Sequence, residues 1–286
     1  PVGSLTYTQM LNAKGGIECD LTVVRRGEND FYIVTGTGYA VHDFDWISRN
    51  LCGDVNLTDV TSGFAVLSLM GPKAREVLQP LTSDDLSNAA FPFGTARSIS
   101  VANCPVLALR VTYVGELGWE LHMPVEVAVT VYEALMASGQ VTLAGYRAIE
   151  TLRLEKGYRA WGADIGPDHT PVEAGLAWAV KMKSGRPFLG RDAIAAQLAG
   201  GVKKRLATFT AAPDVVLLGR ETIYRNGERV GWLSSGGYGH TVGKSIGLGF
   251  VRHPGGVTEG FVLSGTYELD VASERVPAQV TLAALY

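Results

Sequence analysis

The spacing of apolar residues predicts a mixture of strands and helices over most of the chain. The segments "FYIVTGTG" and "FAVLSLMG" have the apolar runs of strands, whereas "PKAREVLQPL" and "VAVTVYEALMAS" place their apolar residues at helical spacing. The segment "AGYRAIETLRLEKG" predicts another helix, and Gly157 is the residue type expected at its end. Up to about residue 195 the pattern therefore predicts an α+β fold.

From about Gly200 onward the pattern changes to short strands only. Asn226-Gly227, between two of these strands, favours a tight hairpin because both residues tolerate positive φ. The predicted strands lie in the segments "RLATFTA", "ETIYRNGERVGWLSS", "KSIGLGFV", "GFVLSGTYELD" and "VPAQVTLAAL". We therefore predict an α+β domain over residues 1–199 and a small β-barrel or sandwich over residues 200–286.

The stretch "YVGELGWELH" predicts a hairpin that carries polar side chains. Apolar residues alternate on both sides of Gly115 and Gly118, and glycines at that spacing allow the backbone to reverse. If these glycines bound the loop, Tyr113 lies opposite Glu120 on one face of the sheet. The pattern thus predicts a phenol beside a carboxylate, either as a structural pair at a sheet edge or as part of a polar site.

Composition and charge exclude several classes of partner. With 286 residues, 47% of them hydrophobic, the chain can bury enough core for one large or two ordinary domains. The 25 basic and 28 acidic residues are mixed along the chain and give a net charge of −3, so no nucleic-acid partner is expected. No apolar segment approaches ~18 residues and the N-terminus lacks a signal pattern, so no membrane association is expected.

The cysteines and histidines lack the spacing of a disulfide framework or a metal site. Cys19, Cys52 and Cys104 are odd in number, which fits a reducing compartment such as the cytoplasm, or the mitochondrial matrix in a eukaryote. The five histidines are scattered, and no Gly-x-Ser-x-Gly elbow occurs. We therefore expect neither a metal site nor a serine hydrolase.

A Gly-x-Gly follows a predicted strand in "YIVTGTGYA" and raises the question of dinucleotide binding. After Gly36 and Gly38 the third glycine position is Val41, and the following aspartates come too soon to bind a ribose. We therefore expect that this chain itself binds no flavin.

Asp20 interrupts an otherwise extended apolar run, "GGIECDLTVVR", just after a Gly15-Gly16 turn. An aspartate at such a place is more often a turn or cap residue than a catalytic one. Tyr7 and Trp161 are likewise ordinary core or rim aromatics when each is considered alone. The spacing of apolar residues along the chain does not show whether these residues lie in one pocket.

Five blocks, in their order, resemble the folate-dependent aminomethyltransferase family. They are "YTQMLNAKGGIECDLTV", "YVGELGWELH", "AGYRAIETLRLEKGYRAWGADI", "TPVEAGLAWAVKMKSGRPFLGRDA" and "WLSSGGYGHTVGKSIGLGFV". The family includes the glycine cleavage T-protein and the C-terminal parts of dimethylglycine and sarcosine dehydrogenases or oxidases. The match runs over essentially the whole chain, and Leu117 and Trp119 in the hairpin make it closer to the dimethylglycine and sarcosine enzymes.

The resemblance implies a tetrahydrofolate site in the α+β part. Glu120 matches the carboxylate that binds the pterin, and a carboxylate is suited to accept the paired N–H bonds of an aminopyrimidinone edge. Tyr113 matches the tyrosine that precedes this glutamate in the family. Tyr7 and Trp161 fall at positions that usually hold aromatics against the ring.

The resemblance also implies roles for two charged residues. Asp20 matches the aspartate next to the reactive folate nitrogens, which makes it the candidate catalytic residue. Arg153 is carried over as a residue that orders the wall of the pocket.

The chain departs from the family in two places. Gly36-Thr37 stands where T-proteins usually have Asn-Ala, and Pro1 falls tens of residues inside the family's usual start. We therefore expect an N-terminal segment of the family fold to be missing. Its absence would leave an uncovered surface that favours self-association.

The reaction implied by the resemblance is transfer of a one-carbon unit to tetrahydrofolate, which forms 5,10-methylenetetrahydrofolate. The carbon would come from a small N-methyl amine oxidised by FAD in a separate upstream domain. One alternative is a free-standing glycine cleavage T-protein that uses an aminomethyl donor. Another is a folate-binding module without catalysis.

Overall fold

The computed structural model describes residues 1–286. The strands are β1 (Leu5–Leu11), β2 (Ile17–Arg25), β3 (Phe31–Thr35), β4 (Phe64–Met70), β5 (Ala96–Val101), β6 (Cys104–Leu109), β7 (Gly118–Pro124), β8 (Lys204–Ala211), β9 (Thr222–Arg225), β10 (Glu228–Gly239), β11 (Lys244–Arg252), β12 (Tyr267–Val271) and β13 (Glu274–Thr281). The α-helices are α1 (Ala40–Asn50), α2 (Ala74–Leu78), α3 (Ala128–Met136), α4 (Tyr146–Glu155), α5 (Arg191–Gly200) and α6 (Glu259–Leu263). None of these helices has the length and apolar character needed to cross a bilayer.

The chain folds into two compact units, and each draws on two stretches of sequence. The first unit contains residues 1–8 and 21–144, and the second contains residues 9–20 and 145–286. The chain passes from one unit to the other within β1 and again within β2. The predicted domain boundary between residues 199 and 200 stays a prediction.

The first unit contains a four-stranded antiparallel sheet in the order β4-β7-β6-β5. Along β7, the side chains of Trp119, Leu121 and Met123 are fully buried in a core that includes residues of α2 and α3. Because side chains alternate across a strand, Glu120 and His122 point to the opposite face of the sheet. Strand β7 thus separates an apolar core from a polar face.

Strand β3 packs on this opposite face. Leu109 of β6 pairs with Glu120 of β7, so the two side chains lie on the same side of the sheet. Leu109 belongs to a small apolar cluster with Val24 of β2, and Tyr32 and Val34 of β3 pack against that cluster. The face that carries Glu120 is therefore partly covered.

The turn between β1 and β2 requires its two glycines. Gly15 has a φ of 81°, and a Cβ on Gly16 would lie 1.7 Å from the carbonyl oxygen of Pro167. Asn12 Oδ1 accepts a hydrogen bond of 2.9 Å from the Gly16 N–H. The predicted Gly15-Gly16 turn is confirmed, and it starts the strand that carries Asp20.

The second unit contains a closed, antiparallel, six-stranded barrel in the order β10-β11-β8-β13-β12-β9. Asn226 and Gly227 have φ of 52° and 83°, the left-handed values that a type I′ hairpin needs. The predicted C-terminal barrel and its tight hairpin are therefore confirmed.

One segment of the second unit differs from the prediction of strands only. The first half of "GFVLSGTYELD" forms the end of helix α6, and only its second half forms β12. Thr258 caps this helix, because its hydroxyl oxygen accepts a hydrogen bond of 3.0 Å from the Phe261 N–H. A local cap therefore overrides the apolar, strand-like composition.

Helix α4 ends as the sequence predicts. Gly157 has a φ of 67°, and the N–H of Tyr158 donates to the Arg153 carbonyl oxygen at 2.9 Å. Leu154 of the last turn packs in a buried cluster with Ile246 and other residues of the barrel strands. This packing fixes the position of the neighbouring Arg153.

Candidate functional site

The loop before β7 is longer than the sequence predicts. Glu120 pairs with Leu109, not with Tyr113, because β6 ends at Leu109. The chain leaves the sheet at Arg110, whose buried guanidinium donates to the Phe91 carbonyl oxygen. The predicted cross-strand pair of Tyr113 and Glu120 is therefore wrong, and Tyr113 lies in the loop between the two strands.

Glu120, His122 and Tyr32 form a polar cluster on the covered face of the sheet. His122 Nε2 lies 3.4 Å from Glu120 Oε2, and His122 Nδ1 lies 3.1 Å from the Tyr32 hydroxyl oxygen. The His122 side chain is 1% exposed, whereas the Glu120 side chain is 23% exposed. The carboxylate therefore has an inner partner and also a surface that a ligand can reach.

The surroundings of Tyr32 keep its phenol protonated. Burial raises the pKa of Tyr32 above its ordinary value, the Arg26 guanidinium opposes that rise, and the Glu120 charge adds to it. The Arg26 guanidinium lies 5.5 Å from the centre of the Tyr32 ring. A neutral phenol remains able to donate a hydrogen bond at neutral pH.

Asp20 lies in the interior of β2 and is half-buried. Its Oδ1 accepts a hydrogen bond of 3.2 Å from Gln9 Nε2 on β1. This strand position contradicts the interpretation of Asp20 as a turn or cap residue. Its catalytic role stays a prediction.

Arg153 lies at the centre of a buried polar network in the second unit. Its guanidinium donates to Asp164 at 2.6 Å, to Glu150 at 2.7 Å and to the Ser235 hydroxyl at 2.8 Å. The Arg153 side chain is 1% exposed and that of Asp164 is 0% exposed. These contacts link α4 to β10 and to the loop that carries Asp164, and a role for Arg153 in ordering a pocket wall stays a prediction.

The two aromatic candidates are both half-buried. Trp161 lies in the loop after α4, and its indole Nε1 donates to the Ile17 carbonyl oxygen at 3.0 Å. Tyr7 lies within β1. Contact of either residue with a folate ring stays a prediction.

The predicted residues divide equally between the two units. The first unit contains Tyr7, Tyr113 and Glu120, and the second contains Asp20, Arg153 and Trp161. Within the first unit, the structure shows that Glu120 lies in a cluster with His122 and Tyr32, which the sequence analysis missed. His122 could have been found from strand alternation, since it lies two residues after Glu120 and thus on the same face. Tyr32 is far away in the sequence, and no local signal links it to Glu120.

Known proteins match both parts of the chain. The family model of the GCVT N-terminal domain matches residues 1–184, and that of the glycine cleavage T-protein C-terminal barrel domain matches residues 204–286. The mitochondrial sarcosine dehydrogenase of Mus musculus is 42% identical over 99% of this chain, which covers 33% of that relative. The mitochondrial dimethylglycine dehydrogenase of Homo sapiens is 40% identical over 87% of this chain, with 30% of that relative covered.

A solved structure matches over the full length of the chain. The glycine cleavage system aminomethyltransferase T from Bartonella henselae is similar with a TM-score of 0.86 and 25% sequence identity. The match covers 100% of this chain and 77% of that structure.

The mixed helix and sheet content and the closed six-stranded barrel define an aminomethyltransferase fold. The chain belongs to the glycine cleavage T-protein family, as its two family domains show. It spans about a third of the length of the two dehydrogenases that it matches.

Proposed function

We propose that this chain transfers a one-carbon unit to tetrahydrofolate as the folate-dependent part of an N-methylglycine-oxidising flavoenzyme. The observation that carries this proposal is the 42% identity with a sarcosine dehydrogenase over 99% of the chain. The product would be 5,10-methylenetetrahydrofolate. Because the relatives are mitochondrial by name, the location would be the mitochondrial matrix if the source is a eukaryote.

The Glu120 carboxylate of the polar cluster supports binding of a reduced folate. The aminopyrimidinone edge of a pterin presents two N–H donors side by side, and an ionised carboxylate can accept both. Glu120 is 23% exposed, so its carboxylate can meet such an edge while His122 contacts it from the inside. Bound tetrahydrofolate would supply the nitrogen nucleophiles that take up the carbon.

In this proposal Glu120 binds the pterin and holds it at reacting distance, which lowers the entropic cost of the reaction. Asp20 would accept the proton released when the carbon is transferred and would return it to the amine nitrogen that leaves. Its negative charge also favours a cationic iminium nearby. The hydrogen bond from Gln9 to Asp20 Oδ1 limits the orientations of that carboxylate.

A free-standing T-protein activity is the second candidate function. The match to an aminomethyltransferase over the full chain favours it, because that protein shares the fold without being named a dehydrogenase. The two candidates differ in the carbon donor, which is an oxidised N-methyl amine in the first and an aminomethyl-lipoyl carrier protein in the second.

The test is turnover by the chain together with a flavoenzyme that oxidises the N-methyl amine, with tetrahydrofolate and each donor supplied in turn. We expect sarcosine or dimethylglycine to give 5,10-methylenetetrahydrofolate, and Asp20→Asn to lower its rate of formation by ~10²-fold while folate affinity barely changes. Asp45→Asn is the matched control, since Asp45 is 52% exposed on α1.

Three outcomes separate the alternatives. Product formed only with an aminomethyl-lipoyl donor would favour the T-protein activity. Folate binding without turnover of either donor would favour a non-catalytic module. Equal rates for the wild type and Asp20→Asn would remove Asp20 from the reaction.

A further inference from the structure

We propose that His122 is a positioning residue for the Glu120 carboxylate, and that the fold holds its imidazole in one tautomer, with the proton on Nε2. The positioning role rests on the proposed function, because it describes how Glu120 is oriented for a pterin. The tautomer rests on the geometry of the polar cluster alone.

The direction of each hydrogen bond follows from what each group can donate. An ionised carboxylate only accepts, so the contact of 3.4 Å with Glu120 Oε2 requires the hydrogen on His122 Nε2. In a neutral imidazole Nδ1 is then an acceptor, and the Tyr32 hydroxyl donates to it across 3.1 Å. The donors therefore run in one direction, from Tyr32 through His122 to Glu120.

The fold holds the Tyr32 hydroxyl and the Glu120 carboxylate on either side of the His122 imidazole. Strand β7 carries Glu120 and His122 on one face, and β3 brings the Tyr32 hydroxyl to the other side of the imidazole. The His122 side chain is 1% exposed, and its ring meets the Tyr32 ring edge-on with 5.5 Å between the ring centres. The imidazole thus has little freedom to turn or to exchange its partners for water.

The consequence concerns the carboxylate. Because Oε2 accepts from a buried and oriented donor, the rotation of the Glu120 carboxylate is restricted before a ligand arrives. A ligand edge with two donors then meets an acceptor that does not have to be reoriented, and such preorganisation raises affinity. His122 would therefore act on folate through Glu120, without touching it.

A double-mutant cycle on the full chain tests the positioning role. His122→Leu removes the donor to Glu120, whereas His122→Gln keeps an amide N–H near the place of Nε2. We expect His122→Leu to weaken tetrahydrofolate binding on the order of tenfold in the wild-type background, and by less than about threefold when Glu120→Gln is already present. His122→Gln should retain most of the affinity.

A merely structural role predicts something else, namely an equal loss of affinity from His122→Leu in both backgrounds and no rescue by His122→Gln. Either result would overturn the positioning role. Circular dichroism melts of all the variants show whether the strand itself is damaged, and the rescue comparison remains decisive where His122→Leu lowers the melting temperature.

The tautomer is tested without any folate. In the ¹⁵N spectrum of histidine-labelled protein, assigned through the loss of signals in His122→Gln, we expect a protonated Nε2 and an unprotonated Nδ1. A proton on Nδ1, or on both nitrogens, would overturn the assigned direction. If the wild-type chain binds no tetrahydrofolate, the proposed function and the positioning role fail together, while this spectrum still decides the tautomer.

Discussion

Arg153 in the second unit and Glu120 in the first are two charged side chains with very different surroundings. The Arg153 guanidinium is 1% exposed and lies against Asp164 and Glu150 at 2.6 and 2.7 Å. Glu120 is 23% exposed, and its contact with His122 is longer, at 3.4 Å. The resemblance to the family points to both residues and does not separate their roles.

The difference shows how the burial of a charged side chain indicates whether it acts mainly on stability or on ligand binding. A buried ion pair that loses one partner leaves an uncompensated charge, so Arg153 should matter chiefly to folding. A partly exposed carboxylate keeps acceptor capacity that a ligand can use, so Glu120 should matter chiefly to affinity. Each of the following experiments tests one side of this contrast.

The largest effect is expected from Arg153→Met. The substitution leaves the Asp164 carboxylate, which is 0% exposed, without its cation, and should lower the free energy of unfolding by about 3–5 kcal/mol in urea titrations. Arg49→Met is the matched control, since Arg49 is 74% exposed and pairs with Asp45 on the surface of α1, where little or no loss is expected. A similar loss of unfolding free energy in both variants would contradict the link between burial of the charge and stability.

Glu120→Ala should show the reverse behaviour. Tetrahydrofolate affinity should fall by ~2–4 kcal/mol, because the donors of the pterin would lose a charged acceptor in a desolvated place. Quenching of tryptophan fluorescence measures the affinity, and urea unfolding should change far less than in Arg153→Met. Glu126→Ala, at an exposed residue just past β7, is the control. Affinity unchanged in Glu120→Ala would exclude its role as the pterin anchor.

The effect of burial on stability can also be tested through pH, at His169 in the second unit. Burial, with the nearby Lys204 and Arg252 cations, lowers the pKa of His169 to about 4. As the pH falls, the unfolded chain binds a proton at His169 near pH 6.5, whereas the folded chain binds it only near pH 4. The stability of the folded chain is therefore unaffected by protonation of His169 above pH 6.5, and stability is lost as the pH falls from 6.5 towards 4.

The corresponding measurement is the free energy of unfolding of the wild type and of His169→Gln at pH 7 and pH 4.5. The wild type should lose about 1–2 kcal/mol more than the variant over this interval, a value reduced for the partial exposure of the ring. Parallel pH curves for the two proteins would contradict the expectation. Folate affinity at pH 7 should be the same in both.

The smallest effect is expected at Tyr32. Because the Glu120 charge is one of the causes that raise the pKa of the Tyr32 phenol, Glu120→Gln should lower that pKa. Ultraviolet titration of tyrosinate, with Tyr32→Phe used to assign the signal, measures the change. An unaltered Tyr32 titration in Glu120→Gln would show that the two side chains are not coupled in solution.

Local sequence patterns predicted those parts of the fold that depend on neighbouring residues. Asn226-Gly227 requires left-handed backbone at both residues, and the structure has it. Gly157 ends α4 because a residue without a Cβ fits the positive φ there. In both cases the controlling interaction lies within a few residues of the position that reveals it.

The parts that could not be predicted depend on contacts between distant residues. The register of Glu120 against Leu109 follows from where β6 ends, and the buried Arg110 at that point contacts the Phe91 carbonyl. Likewise, the pairing of Tyr32 with His122 joins β3 to β7. Alternation along one strand carries no information about such partners. The resemblance to a family therefore made the Glu120 carboxylate a candidate, while the structure was needed to find the residues that surround it.

The closed barrel affects where this chain could begin to aggregate when it is heated or refolded. Each of its six strands is hydrogen-bonded on both sides, so the barrel offers no free edge to which a foreign strand could add. The four-stranded sheet ends in β4 and β5, and β4 carries Val66 with 48% of its surface exposed. The β4 edge is therefore one place where a foreign strand could add during heating or refolding, and a charged side chain there would act as a gatekeeper.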